Sequence, residues 1–343
     1  MAYTAKTRPH NPSGPSPLRR PGSIRRTSSL DTDWPDGIGT PSRVVGRARD
    51  LYTAPDGSSR ILAEDRYDIT ATPMREITSI HTSRLNDVAQ QFVGARGGGH
   101  LRGEIQRILP GEQANASTLN LILDDFSGAS LVAGWAWSRW KPNWMEETRR
   151  QAAVVGAEAP GPRRMEGICS GFRPGASSLN PDGTSRQDTQ GQTEVAPLPH
   201  PDDPLGWHEL PLQDSAGMRR ARRTDVWFDG DFVKMDIGFQ DSANSPTGGD
   251  RICIHEYRVT ARCDPDTFEL LAIEADPRVL PYRECPGAAP NAALMLGLNL
   301  PDFRLKVPER LPGTMGCTHL NDVLRQMTDV PVLVRELRAA LGR

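Results

Sequence analysis

The sequence predicts an α+β protein: a β-rich N-terminal part, then a C-terminal domain in which a small antiparallel sheet is covered by helices. Three observations lead there. Between Arg43 and Ser83, β-branched and apolar residues recur in short runs separated by turn residues. From Thr224 three extended segments follow one another across polar turns. Beyond them, apolar residues return at helical spacing. Strands gathered before helices are the pattern of an α+β domain, not of an alternating parallel fold.

A chain of 343 residues is long enough for two domains, and its 32 Gly and 30 Pro predict long connections. The formal net charge of -2 supplies no global attraction for nucleic acid or an anionic membrane. No apolar run approaches the roughly 18–20 residues that span a bilayer. The N-terminal stretch carries Lys6, Arg8, Arg19 and Arg20 without a hydrophobic signal core, so a cytoplasmic protein is expected. The five cysteines, Cys169, Cys253, Cys263, Cys285 and Cys317, are odd in number and widely spread. That points to reduced thiols or metal ligands, not to a disulfide framework.

Residues 1–22 read as a disordered tail of Pro, Ser, Arg and Asn. Arg25 to Asp31 continue it as a solvated segment that docks Leu30. Residues 23–149 form the N-terminal part, with Val44-Val45 and Ile61-Leu62 in strands and helices expected at Asn86 to Val93 and Leu131 to Trp140. Gly97-Gly98-Gly99-His100 reads as a turn, since no strand, GxGxxG or P-loop lysine accompanies it; no nucleotide cofactor is indicated. Asp124 and Asp125 read as caps at a helix start, and Trp135, Trp137, Trp140 and Trp144 as a packing cluster. Residues 150–205 form a Gly/Pro-rich linker or insertion. Within it Met165 to Phe172, with Cys169, is an apolar island expected to dock as a strand.

Residues 206–343 form the C-terminal domain. Its strands are Phe232 to Phe239, Ile252 to Ala261 and Glu269 to Ala275, the last two joined by the Asp264-Pro265-Asp266-Thr267 turn. Strict alternation places Cys253, His255, Tyr257 and Val259 on one face. Cys285 precedes Pro286 and a helix through Asn291 to Met295. Cys317 precedes Leu320, Val323, Leu324 and Met327, which fall at i, i+3, i+4 and i+7. A cysteine at a helix start is expected to be a stabilised thiolate.

Two thiolates, an imidazole and a carboxylate hold zinc, and mixed Cys/His/Asp ligands also hold iron or an iron–sulfur cluster. The metal-ligand set read here is Cys285, Cys317, His319, Asp241 and Asp250. In the catalytic alternative Cys317 is the nucleophile, His319 or His255 the base, and Glu284 or Asp322 the orienting carboxylate. Residues i and i+2 of a helix face about 200° apart, so Cys317 meets His319 only if it lies before the helical turn. Arg219, Arg220, Arg222 and Arg223 concentrate positive charge without an aromatic stacking ladder, which speaks against nucleic acid; binding the carboxylate or phosphate of a small anionic substrate, or bridging acidic residues of the N-terminal part, explains it equally well. His208 beside Trp207 is a further candidate wall of a substrate pocket. A binding module without metal stays open.

The order of Asp264-Pro265-Asp266-Thr267, Cys285 and Cys317 resembles the U-type iron–sulfur assembly scaffolds over about residues 230–330. The chain lacks the family's third cysteine between the first two strands, where Asp241 and Asp250 stand near, and His319 follows Cys317 instead of preceding it. The resemblance implies a scaffold-like C-terminal fold and, as an alternative function, a metal or cluster carrier with a protein partner. A second resemblance, to the bacterial domain of unknown function 2889, rests on Arg26 to Asp31, Leu123-Asp124-Asp125, Trp207-His208, Arg219 to Arg223, His255-Glu256-Tyr257, Glu284-Cys285-Pro286 and Cys317 to Asp322. It spans most of the ordered chain and implies no activity. The leading expectation is a metal-dependent enzyme, or a cysteine-dependent one, of hydrolase or lyase type.

Overall fold

The computed structural model describes residues 10–187 and 190–342; residues 1–9 of the expected tail, 188–189 of the expected linker and Arg343 lie outside them. The architecture is α+β. Strands β1 (Ser23–Asp33), β2 (Ser42–Thr53), β3 (Ser59–Ala71), β4 (Ile77–Thr82), β5 (Thr193–Val195), β6 (Gly217–Asp229), β7 (Phe232–Ala243), β8 (Arg251–Cys263) and β9 (Leu270–Val279) form one sheet. Its order is β4-β3-β2-β1-β6-β7-β8-β5, with β9 also paired to β8. Both halves therefore share one sheet, joined by the antiparallel β1–β6 ladder. Helices α1 (Asn86–Ala89), α2 (Gly99–Ile108), α3 (Pro110–Ala114), α4 (Thr118–Val132) and α5 (Trp144–Val154) follow the first four strands; α6 (Phe303–Arg310), α7 (Thr318–Gln326) and α8 (Val330–Leu341) follow the last.

The strands and the helix α1 expected in the N-terminal part are present. Three other segments differ from the sequence reading. Arg25 to Asp31 are not a solvated tail but the middle of β1, buried along nearly its whole length. Arg219 to Arg223 likewise lie inside β6, a central strand that no apolar run announces. Asp124 and Asp125 are not caps: they sit inside α4, whose N-cap is Ser117, its Oγ accepting from Asn120 N at 3.1 Å. Because α4 is buried on nearly every side, its apolar residues show no stripe.

Alternation along β1 and β6 sorts the sheet into two faces. The helix face carries two apolar clusters. One gathers Leu30, Val44, Tyr67, Ile69 and Phe126 around α4; the other gathers Phe239, Tyr257, Val259, Cys317 and Leu320 under the C-terminal helices. The opposite face is covered by the segment before β1 and by the loop before β6. Residues 10–22, read from sequence as tail, dock there: Asn11 N donates to Arg278 O at 3.0 Å and Ser16 N to Leu198 O at 2.9 Å. Arg19 grips Asp203 at 2.8 Å. Polar composition did not prevent ordering, because the backbone and charged groups supply the bonds that apolar side chains do not. His208, in the loop before β6, is buried between Thr27 Oγ1 and Ser29 Oγ, 2.8 Å from each.

Candidate metal centre

The sheet brings three titratable groups together at one end of β7 and β8. Asp241 of β7 is paired with His255 of β8, while its neighbour Ser242 is paired with Cys253, so Ile254 is an extra, bulged residue. The bulge breaks strict alternation. Ile254 packs with Met218 and Trp135, whereas Cys253 is turned away from His255 and packs with Val195 and Val279. The sequence expectation that Cys253 shares the face of His255 is corrected by this one residue. His255 Nδ1 then lies 3.2 Å from Asp241 Oδ2.

His319, in the first turn of α7, completes the group. Its Nε2 is 3.6 Å from the same Asp241 oxygen, and its ring stacks on that of His255 with centroids 3.5 Å apart. One donor atom from each of Asp241, His255 and His319 falls within 4.8 Å of the others. Cys317 is the N-cap of α7, in extended conformation before the helical turn, and this lets it reach its i+2 neighbour: Sγ is 3.9 Å from His319 Nδ1. Cys317 thus stands behind the imidazole, on the nitrogen remote from Asp241.

Charge and burial set the protonation states. Burial alone would raise the pKa of Asp241, but the Arg220 charge and hydrogen bonds from His255 and Arg220 outweigh it and hold the carboxyl well below the usual range. Arg220 clamps both its oxygens, at 2.8 and 2.9 Å. Burial lowers the pKa of His255, against the pull of Asp241. It lowers that of His319 further, assisted by His255. Both imidazoles are therefore neutral at pH 7.

The thiols do not match the sequence expectation of stabilised thiolates. Burial pushes Cys285 well above its ordinary pKa, helped by Cys317 and Cys169. Burial also raises Cys317, against the backbone N–H groups of the α7 start and the Tyr257 hydroxyl beside it. Cys285 opens a 3₁₀ segment interrupted by Pro290, not a full α-helix, so it lacks the aligned dipole that the sequence reading assumed. Cys169 joins the two thiol loops, not in a strand as expected but just before a 3₁₀ turn. Ser170 N donates to Gly316 O at 2.8 Å, and Ser170 Oγ donates to Glu284 O at 3.0 Å. A Cβ at Gly171 would meet Cys285 Sγ at 2.6 Å, so glycine is what permits this approach. Burial pushes the Cys169 thiol up to about 11.

The remaining candidates lie elsewhere. Asp250 is exposed in the β7–β8 loop. The Glu284 carboxylate accepts from Ser177 N and Oγ, both at 3.0 Å, and Asp322 faces Arg102 at 2.9 Å; Asp241 is the carboxylate beside His319. Arg219, Arg220, Arg222 and Arg223 are buried countercharges for Asp31, Asp241, Asp125 and Asp236, and do not open to solvent as a substrate clamp. His208 is walled in on the other face, its pKa brought down to about 3 by burial and by Arg49, Arg219 and Arg47. The bridging of acidic residues of the N-terminal part, one of the two expectations for Arg219 to Arg223, is what Arg219 with Asp31 and Arg222 with Asp125 do; sequence reading missed the approach of Cys169.

Residues 218–333 match the family described as protein of unknown function (DUF2889). The matched segment holds Asp241, His255, Cys285, Cys317 and His319, while Cys169 and β1 lie outside it. No curated protein and no solved structure matches the chain. No helix among the described residues is long and apolar enough to cross a membrane.

Proposed function

We propose that this protein is a metal-dependent enzyme whose ion is held by Asp241, His255 and His319. The observation that carries the reading is the meeting of one carboxylate and two neutral imidazoles with donor atoms within 4.8 Å. Three protein ligands leave an open position, as in catalytic zinc sites, and two histidines with one carboxylate also suit iron(II). Arg220 on Asp241 and Cys317 behind His319 supply the outer partners that orient such ligands. An ion there would activate water or polarise a carbonyl, which suits a hydrolase or lyase. Its own charge, in place of the internally paired arginines, would draw a small organic anion.

A second reading rests on the Cys317 Sγ to His319 Nδ1 distance of 3.9 Å. With Asp241 beyond, thiol, imidazole and carboxylate stand in the order of a nucleophile, its base and an orienting group. Metal analysis separates the two. Protein purified anaerobically without added metal is expected to carry one ion per chain, lost in His255→Ala and His319→Ala. In Cys317→Ser the ion is expected to stay, bound about 10–100-fold more weakly. A metal-free wild type that also fails to take up zinc or iron(II) would sink the first reading; an ion lost in Cys317→Ser but kept in His255→Ala would make thiols the ligands and favour a carrier.

A further inference from the structure

A cavity of about 260 Å³ lies on the face of the sheet opposite the histidines. Two rows of direct cross-strand neighbours form its floor: Ala221, Gln240 and Glu256, then Arg223, Gly238 and Arg258. Ala221 and Gly238, set diagonally, are small, and the space lies above them. Residues 13–17 roof it, and Leu198 and Trp207 close it with apolar surface. The roof is pinned at both ends, by Ser13 N donating to Glu256 Oε2 at 3.2 Å and Trp207 Nε1 to Ser16 Oγ at 2.9 Å.

The two ends of the cavity differ in charge. At one end Arg223 and Arg258 share Asp236, at 2.7 and 2.6 Å. Arg223 and Arg25 share Asp225, and Arg25 and Arg19 share Asp203. This network sets four guanidiniums against three carboxylates. At the other end Glu256 is 5% exposed, and its oxygens accept from neutral donors, Ser13 N and, at 3.5 Å, Gln240 Nε2. Among the described residues no ion pair reaches it. Burial raises its pKa, against those two donors and Arg278, as for a carboxylate short of a cation.

We propose that this cavity binds a small zwitterion, an amino acid with an apolar side chain, its ammonium on Glu256 and its carboxylate toward Arg258. The volume is just below the roughly 300–1,000 Å³ of drug-sized sites, which suits a ligand of amino-acid size. Trp207 and Leu198 cover the apolar side chain. Neither Glu256 nor Gly238 belongs to the candidate metal centre, because their side faces away from it.

Calorimetric titration of the full chain with L-leucine, 3-methylbutylamine and 4-methylpentanoate tests this, the last two probes each lacking one charge. Leucine is expected to bind one to one and each half-probe at least tenfold more weakly. A Cβ at Gly238 would come no nearer than 3.7 Å to its surroundings, so the strand accepts a side chain there. Gly238→Leu should fill the cavity and abolish binding, while Glu256→Gln, which keeps an acceptor for Ser13, should weaken it at least tenfold. Thermal unfolding checks that both variants fold; if Gly238→Leu does not, Glu256→Gln decides. No binding of leucine, equal binding of the half-probes, or full affinity in the folded variants would overturn the proposal.

Discussion

Strands β1 and β6 lie side by side at the centre of the sheet and carry the same spacing of charges: Arg25, Arg26 and Asp31 on one, Arg219, Arg220 and Asp225 on the other. Their register sets Arg25 opposite Asp225 and Asp31 opposite Arg219, and both pairs close at 2.6 Å. On the helix face the second arginine of each strand grips the carboxylate opposite it on the next strand out, Arg26 with Asp50 at 2.6 Å and Arg220 with Asp241 at 2.8 Å. Each then reaches a helical segment of the other half: Arg26 to Asp329 just before α8, Arg220 to Asp125 of α4. The halves part company one strand further out. Opposite Asp50, β3 presents Ala63; opposite Asp241, β8 presents His255, and His319 stacks upon it. What the halves share is framework. What only one half has, two imidazoles on the shared carboxylate, is the better candidate for chemistry.

The sharpest way to break that comparison is to remove each second arginine. Arg26→Met leaves Asp50 buried without its cation while Asp329 keeps Arg304, and Arg220→Met leaves Asp241 buried without its guanidinium while Asp125 keeps Arg222. Each is expected to cost about 3–5 kcal/mol in denaturant unfolding, the penalty of an uncompensated buried charge. Only Arg220→Met should also change metal affinity, since only its carboxylate faces the histidines. If Arg26→Met leaves stability untouched, the two halves are not built on one plan.

A smaller effect tests how closely α4 must approach. A Cβ at Gly128 would meet Arg220 Nη1 at 2.0 Å and Asp322 Oδ2 at 2.7 Å. The guanidinium is clamped on Asp241 and cannot swing aside cheaply. Gly128→Ala is therefore expected to destabilise by about 1–3 kcal/mol through overpacking, although alanine favours a helix interior over glycine by about 1 kcal/mol. A more stable Gly128→Ala variant would mean that Arg220 has room to shift and that its clamp is loose.

These two tests bear on what the sequence made legible. Short apolar strands such as β2 and β3, and the amphipathic α7 behind Cys317, followed from periodicity, because each buries one face. The centre of the sheet did not. β1 and β6 are covered on both faces yet filled with arginines and aspartates, and a strand whose burial rests on ion pairs carries no hydrophobic alternation to read. α4 was missed because it is buried nearly all round, so its apolar residues form no single stripe. At the candidate site Asp241, His255, Cys317 and His319 were each singled out, but their grouping depended on a single bulged residue, Ile254, and on an N-cap geometry at Cys317. Thiolate character was misjudged because position at a helix start was weighed without burial, and burial proved the larger influence.

The smallest effect concerns acid, and it sets the two faces of the sheet against each other. His208, on the face away from the helices, has its pKa brought down to about 3 by burial first and neighbouring arginines second; burial also lowers His255 and His319 on the helix face. A histidine whose folded pKa lies below its unfolded value of about 6.5 takes up a proton on unfolding throughout the interval between them. Stability then rises with pH across that window, is complete above about 6.5, and is lost as pH falls. Each such histidine adds a slope of at most about 1.4 kcal/mol per pH unit. Measured in chelator between pH 8 and 5, where all three count, His208→Gln should remove one such share of the slope, and His319→Gln another. With metal loaded, the His319 share should be replaced by the acid release of the ion while the His208 share stays. A slope unaltered by His208→Gln, yet abolished by His319→Gln, would confine the acid sensitivity to the half that carries the candidate metal centre.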